Sequence, residues 1–403
     1  MKPQRWLFIS IPLWGHLDYG GYLDLAVALA RRGHRVLWAS GSLVQEAVVR
    51  RGLPFALLPS VGWRWLPPLP PDVPPTERAR RRRERALEAW LQPEAHARAL
   101  RALSSLIETW RPDWIVAEPF AGVAAWAAER YELPLIVVGF PAGRWPAPAT
   151  PEAQIEVEAA QARLAEIAAR LGLTARFWRV DPFPQITSPY AHIVFFPVRW
   201  FIDLDRLDPQ NRFFGGRRKA STVPSPPRAR PRVLITLGST FTADPAFFIG
   251  AARAVQALGG EPLLVLGRSP FAPGLREAVA RALPDLPLWD WVDYPALFPQ
   301  LDLVIHHGGM GTTHAALVYG VPQLMVPHAG EQHLQARRAV AAGVGLVLWP
   351  SEATPRQWQE HIAVLLREPA FRERARDWAH RMEAAGGVEE AAAWLTEWAH
   401  RAE

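Results

Sequence analysis

Three consecutive stretches near the start of the chain leave few folds open. "RWLFISI" (5–11) is an apolar run closed by Pro12, "YLDLAVALARRGH" has helical periodicity and stops at Gly33, and "RVLWAS" (35–40) is apolar again. Short apolar runs separated by an amphipathic helix read as β-α-β, which requires a parallel sheet covered by helices. The pattern returns in "WIVAE" (114–118), "GVAAWAAERY" and "LPLIVVG" (133–139). It then stops at "RRKASTVPSPPRARP" (217–231), a polar, proline-rich stretch that reads as a linker. Beyond it the series restarts with "RVLITLGS" (232–239), "PAFFIGAARAVQALGG", "PLLVLG" (262–267), "GLREAVARAL" and "LDLVIHH" (301–307), before turning into "VPQLMVP" (321–327).

The expected architecture is therefore α/β, with two parallel-sheet halves facing across a cleft. A chain of 403 residues suits two domains of about 200 residues each. The expected divisions are an N-terminal domain at 1–216, the linker at 217–231 and a C-terminal domain at 232–385. A last helix, at 386–403 and containing "EEAAAWLTEWAH", is expected to pack back on the first domain. Sheets of this kind bind ligands beyond the carboxyl ends of their strands.

No apolar run approaches the roughly 18 residues needed to cross a bilayer. Cysteine is absent, which excludes disulfides, thiolate metal sites and a cysteine nucleophile and fits a cytoplasmic enzyme. Lys2 and Lys219 are the only lysines and Asn211 the only asparagine, biases expected of a thermostable protein or of a GC-rich genome. The net charge of +6 does not point to nucleic acid, because the basic residues do not interleave with aromatics. The dense run "ERARRRRERAL" (77–87) reads first as a solvated helix and second as peripheral contact with an anionic membrane surface. Two loops rich in Pro and Trp, at 61–75 and 140–151, supply Trp63, Trp65 and Trp145 as candidates for an apolar ligand wall.

The stretch "IHHGGMGTTHAAL" (305–317) ends a strand at His307, turns through Gly308, Gly309 and Gly311, and enters a helix at Thr312. Glycines bring backbone N–H groups close to a ligand, and the helix start favours an anion, so the segment reads as a diphosphate seat. It is neither G-x-G-x-x-G nor a P-loop. After the next strand end, Glu331 and Gln332 are a carboxylate and an amide suited to sugar hydroxyls.

The segment "HHGGMGTTHAALVYGVPQLMVPHAGEQHLQARRAVAAGVG" resembles the donor-binding signature of family 1 nucleotide-sugar-dependent glycosyltransferases of the GT-B fold, whose bacterial members act on macrolides, glycopeptides and sterols. The likeness extends to "GHLDYGGYLDLAVALARRGHRVLWAS", "PRVLITLGS" and "WDWVDYPALFPQLDLVIHHGG". It implies that Trp291 and Val292 hold the nucleobase and that Ser239 and Thr240 touch the phosphates. His307, Gly309, Gly311 and Thr312 would seat the diphosphate, while Glu331 and Gln332 read the sugar. Many relatives carry at position 315 a glutamate that grips the ribose; here it is Ala315.

The same resemblance makes His16, in the "GH" motif, the general base that deprotonates an acceptor hydroxyl. An orienting carboxylate follows the strand "WIVAE", which assigns that part to Glu118, with Asp113 and Asp18 as alternatives. Phe195, Phe196 and Trp200 are either acceptor contacts or core. "DLD" (203–205) has the form of a metal-binding triplet but stands away from both neighbourhoods, so no metal or other cofactor is expected. The expected activity is inverting transfer of a hexose, glucose first, from a UDP- or dTDP-sugar to a hydroxyl of an apolar small molecule. A catalytically inactive sugar-nucleotide-binding protein and a nicotinamide-dependent oxidoreductase are the rivals, the latter lacking the dinucleotide turn.

Overall fold

The structure is a computed structural model that describes residues 2–64, 66, 73, 75–144, 151–181, 183–217, 229–239, 244–267, 272–328 and 331–401; the side chains of 75, 76, 78, 79, 82, 83 and 151–153 are outside that description. Trp65, Trp145, Thr240 and most of the expected linker lie outside the described residues. The chain forms two compact units. Unit 1 comprises Met1–Val194, Asp203–Phe213 and Val388–Glu403; unit 2 comprises Phe195–Ile202 and Phe214–Gly387.

Among the described residues, unit 1 contains nine strands: β1 (Arg5–Ile9), β2 (Arg35–Ser40), β3 (Phe55–Leu57), β4 (Trp114–Ala117), β5 (Leu135–Val138), β6 (Trp178–Val180), β7 (Pro184–Ile186), β8 (Ala191–Val194) and β9 (Asn211–Phe213). Seven of them form a sheet in the order β3-β2-β1-β4-β5-β8-β9, every pair parallel. β6 and β7 make a separate antiparallel pair. The central strands are apolar throughout because helices cover both faces; Trp6, Leu7, Phe8 and Ile9 are all fully buried. Trp6 stacks on Trp114 with ring centroids 5.5 Å apart, adding a side-chain clasp to the β1–β4 ladder. From β1 the chain steps to β2 and β3 on one side, then crosses to β4 and β5 on the other. The β1–β4 boundary is thus the point where strand order reverses, the place at which sheets of this kind bind ligands.

The helix Val388–Arg401 belongs to unit 1, where it packs on the helix Tyr22–Arg31. His34 pairs with Thr396 through Nε2 and Oγ1 at 3.0 Å, and Trp398 lies 5.2 Å from Trp114 between ring centroids. The arginine-rich run sits in the helix Pro75–Trp90, where Arg80 pairs with Glu84 at 2.7 Å one turn along.

Unit 2 repeats the plan with β10 (Arg232–Thr236), β11 (Glu261–Val265), β12 (Leu288–Trp289), β13 (Leu303–His306), β14 (Gln323–Met325) and β15 (Gly345–Val347). Their order is β12-β11-β10-β13-β14-β15, again all parallel, with the reversal between β10 and β13. The sequence division ran the first domain to 216, yet Phe195–Ile202 packs with unit 2. Trp200 stacks on Phe196 and donates from Nε1 to Gln335 Oε1 at 2.7 Å. Phe195, Phe196 and Trp200 are at most 1% exposed, so they are core of unit 2 and not an acceptor wall.

Candidate active site

At the β1–β4 reversal of unit 1, His16 lies in the short helical turn Trp14–Leu17 beyond β1, and Glu118 follows β4 directly. His16 Nδ1 is 3.1 Å from Glu118 Oε2. Glu118 is completely buried, and it also accepts from the Ile11 N–H at 3.0 Å and the Phe120 N–H at 2.9 Å. Since a carboxylate only accepts, the imidazole proton belongs on Nδ1, which leaves the lone pair on Nε2. Asp18 accepts from the Gly20 N–H at 3.2 Å, and Asp113 accepts from the Arg5 N–H at 2.7 Å at the other end of the sheet. Of the three carboxylates considered, Glu118 is the one that meets His16.

Sequence reading passed over Tyr19. Its hydroxyl is 2.8 Å from His16 Nδ1 and donates to Glu118 Oε2 at 3.0 Å. The only hint in the sequence was the glycine pair that follows, which marks a tight turn without showing where the phenol goes. Below this group Tyr22, fully buried, bridges the Ile9 and Val116 carbonyls at 2.9 and 3.0 Å, tying β1 to β4. Phe120 meets the His16 ring edge-on at 5.2 Å and Trp63 at 5.9 Å, so Trp63 stands one ring removed from the histidine. Phe120 also contacts Trp90 and Phe140.

In unit 2 the glycines at the reversal make room for side chains. A Cβ at Gly238 would stand 2.8 Å from His307 Cε1, and one at Gly309 would stand 2.5 Å from His307 Nε2. One at Gly308, where φ is +89°, would reach the Gln332 carbonyl oxygen at 3.0 Å. The His307 ring thus occupies the space that bare backbone leaves between the ends of β10 and β13. Burial pushes its pKa down to about 3, with the His306 and His328 charges adding, so the ring is neutral near pH 7. His306 is likewise lowered to about 4 by burial and pins the turn, accepting from the Gly308 N–H at 3.2 Å and pairing with Gln323 Oε1 at 3.0 Å.

The helix Met310–Tyr319 begins at Gly309 with no side-chain cap, which leaves its first N–H groups facing outward from the turn. Thr312 Oγ1 meets the Tyr294 hydroxyl at 3.1 Å, whereas the Thr313 hydroxyl donates to the Gly309 carbonyl at 2.9 Å and is spent there. Gln332 is buried, and its Oε1 accepts from the His328 N–H at 2.8 Å, which makes it a brace of the turn before its helix. Ser239 follows β10, Glu331 opens the helix Glu331–Ala341, and Trp291 holds its indole 57% exposed beside half-buried Val292.

Comparison with known proteins adds to this geometry. Residues 272–397 match the family described as Erythromycin biosynthesis protein CIII-like, C-terminal domain. L-demethylnoviosyl transferase of Streptomyces niveus is 30% identical over 354 residues, covering 86% of this chain and 85% of that protein. The chain belongs to the bacterial nucleotide-sugar glycosyltransferases, in the branch related to macrolide glycosyltransferases. Its fold is that of the glycosyltransferase of kitacinnamycin, with a TM-score of 0.73 at 24% identity and coverage of 99% and 100%. The glycosyltransferase VinC, in complex with dTDP, matches with a TM-score of 0.69 at 20% identity and coverage of 98% and 100%.

As a glycosyltransferase the chain uses a nucleotide-sugar donor. Ala315 is packed in an apolar cluster with Phe298, Val304 and Val321. Asp203 and Asp205 flank Leu204 at the short turn Leu204–Arg206, and the described residues contain no group of three or more His, Asp or Glu arranged to hold a metal. No described helix is long and apolar enough to cross a membrane.

Proposed function

We propose that this glycosyltransferase is inverting and metal-independent, moving a hexose from a dTDP- or UDP-sugar to a hydroxyl of an apolar small molecule. His16 Nε2 takes the acceptor proton as the acceptor oxygen bonds to the anomeric carbon and the bond from that carbon to the diphosphate breaks. Glu118 balances the imidazolium that forms. The leaving diphosphate takes the electron pair, and its charge is met by the uncapped start of the helix Met310–Tyr319. Trp291 and Val292 serve the base, Ser239, Thr240, His307, Gly309, Gly311 and Thr312 the phosphates, and Glu331 with Gln332 the sugar. Trp63, through Phe120, belongs to the acceptor wall; Trp65 and Trp145, the other candidates, lie outside the described residues. The observation that carries the reading is the 3.1 Å contact between His16 Nδ1 and buried Glu118 beyond the β1–β4 reversal.

One feature removes a ground for preferring uridine to thymidine. With Ala315 in an apolar cluster, no carboxylate at that position meets a 2′-hydroxyl, so dTDP loses nothing by lacking one. VinC, which shares the fold, was solved with dTDP, so dTDP is the first donor base to test.

The test pairs calorimetric titration of dTDP and UDP, with and without EDTA, with transfer assays on a flavonol, a sterol and a macrolide. His16→Ala is expected to lower transfer by about 10²- to 10⁴-fold while dTDP binding survives. Transfer that persists in His16→Ala removes the base assignment. Binding of NAD in place of a nucleoside diphosphate removes the transferase reading itself, and transfer abolished by EDTA removes metal independence.

A further inference from the structure

The backbone at Tyr19 is unusual. Its φ is +42°, a left-handed value that costs a bulky side chain steric energy, and Gly20 and Gly21 follow at +82° and +156°. A third glycine at position 19 would follow this path with less strain. The tyrosine is nevertheless there and is 4% exposed, its ring edge-on to His16 at 5.5 Å and to Phe140 at 5.9 Å. The neighbouring chain also accommodates it. Gly139 has φ +137°, and a Cβ there would stand 3.0 Å from Tyr19 Cδ1.

We infer that Tyr19 is a positioning residue for the base, closing a triangle of hydrogen bonds with His16 and Glu118. The inference rests on the reading of His16 as the base. Two protons serve the three close approaches of 2.8, 3.0 and 3.1 Å. The carboxylate donates nothing, so both protons run towards it. The phenol O–H goes to Glu118 Oε2, and the imidazole Nδ1–H lies between Oε2 and the phenol oxygen. In the other tautomer the Nδ1 lone pair would face the carboxylate at the same distance, a repulsive arrangement. Holding Nδ1 between two oxygens fixes both the tautomer and the rotation of the ring, and so the direction in which Nε2 presents its lone pair. When Nε2 gains the acceptor proton, the same two oxygens receive a stronger donor from the imidazolium.

The experiment uses the full chain labelled with ¹⁵N. Long-range imidazole correlations identify the tautomer of His16, whose signals are assigned by their loss in His16→Gln. In the wild type, His16 is expected to show protonated Nδ1 and unprotonated Nε2. In Tyr19→Phe the two ring nitrogens are expected to move towards averaged shifts. Its kcat should fall roughly tenfold, the scale of one charge-assisted hydrogen bond, with donor KM and melting temperature unchanged. A second variant carrying 3-fluorotyrosine at position 19 keeps the ring but sharpens the donor, and its His16 shifts should move also. If kcat and the His16 pattern are unchanged in Tyr19→Phe while His16→Ala abolishes transfer, the role of Tyr19 is overturned and the base stands. Unmoved His16 shifts in the fluorotyrosine protein overturn it too, whether or not Tyr19→Phe folds. If His16→Ala retains transfer, the base and the role of Tyr19 fall together.

Discussion

Asn211 is the single asparagine in 403 residues, and its amide is used at both ends. Its Nδ2 donates to the Ala142 and Asp208 carbonyls, each at 2.7 Å, while its Oδ1 accepts from the Ala142 N–H at 2.7 Å. Aspartate has the same shape but cannot donate, and it would turn a charge towards two carbonyl oxygens. The clamp holds the segment after β5, where Phe140 accepts from His192 Nδ1 at 3.2 Å and presents its ring to Tyr19 and Phe120. Asn211→Asp is expected to cost about 1–3 kcal/mol of stability, read from the midpoint of chemical denaturation. It should also weaken transfer to the acceptor more than it weakens dTDP binding. A midpoint equal to the wild type would show that water replaces the clamp without loss.

The helix Met310–Tyr319 and the strand ends around it work as one element, and a single methyl group tests their coupling. In Gly309→Ala the added Cβ meets His307 Nε2 at 2.5 Å and Cε1 at 2.7 Å, so the ring has to leave its place beside the helix start. The expected result is a dTDP dissociation constant raised about tenfold or more, with stability lowered by about 1–3 kcal/mol. An unchanged constant would mean that the His307 ring has no part in the seat. The strand–helix alternation that builds this element was legible in the sequence, because buried parallel strands and amphipathic helices leave different periods. The strand-end position of "HHGG" was legible for the same reason. What could not be read was which atom fills the space beside each glycine, since Gly308, Gly309 and Gly238 look alike in sequence yet face Gln332 and His307. The placement of Phe195–Ile202 was hidden for a related reason. Its partners are Gln335, His314 and Trp378, more than a hundred residues away, and no local pattern announces them.

Across the whole molecule, burial of neutral histidines ties stability to pH in both units. His96 and His192 in unit 1 have pKa values lowered to about 4, chiefly by burial. In unit 2, His306 is lowered to about 4 and His307 to about 3, burial again coming first. His96, His192 and His306 each accept a hydrogen bond at one ring nitrogen and so need a neutral ring; His96, for example, accepts from Trp126 Nε1 at 3.1 Å while its other nitrogen faces the Trp90 carbonyl at 2.8 Å. The folded values lie below the unfolded value of about 6.5, so this stability is fully present above that pH. It is lost as pH falls, because the unfolded chain binds protons that the native chain refuses. At about pH 5 each histidine removes on the order of 2 kcal/mol, and carboxylates with ordinary values near 4 have scarcely begun to titrate. Guanidinium unfolding near pH 7 and near pH 5 reads the effect, and because each unit holds two such histidines, both should unfold at lower denaturant in acid. Unfolding near pH 5 should take up about three to four protons at these histidines, against about one near pH 7. Equal midpoints at the two values would show that the buried rings admit protons and water in the native state, and the neutral seat around His307 would then have to be abandoned.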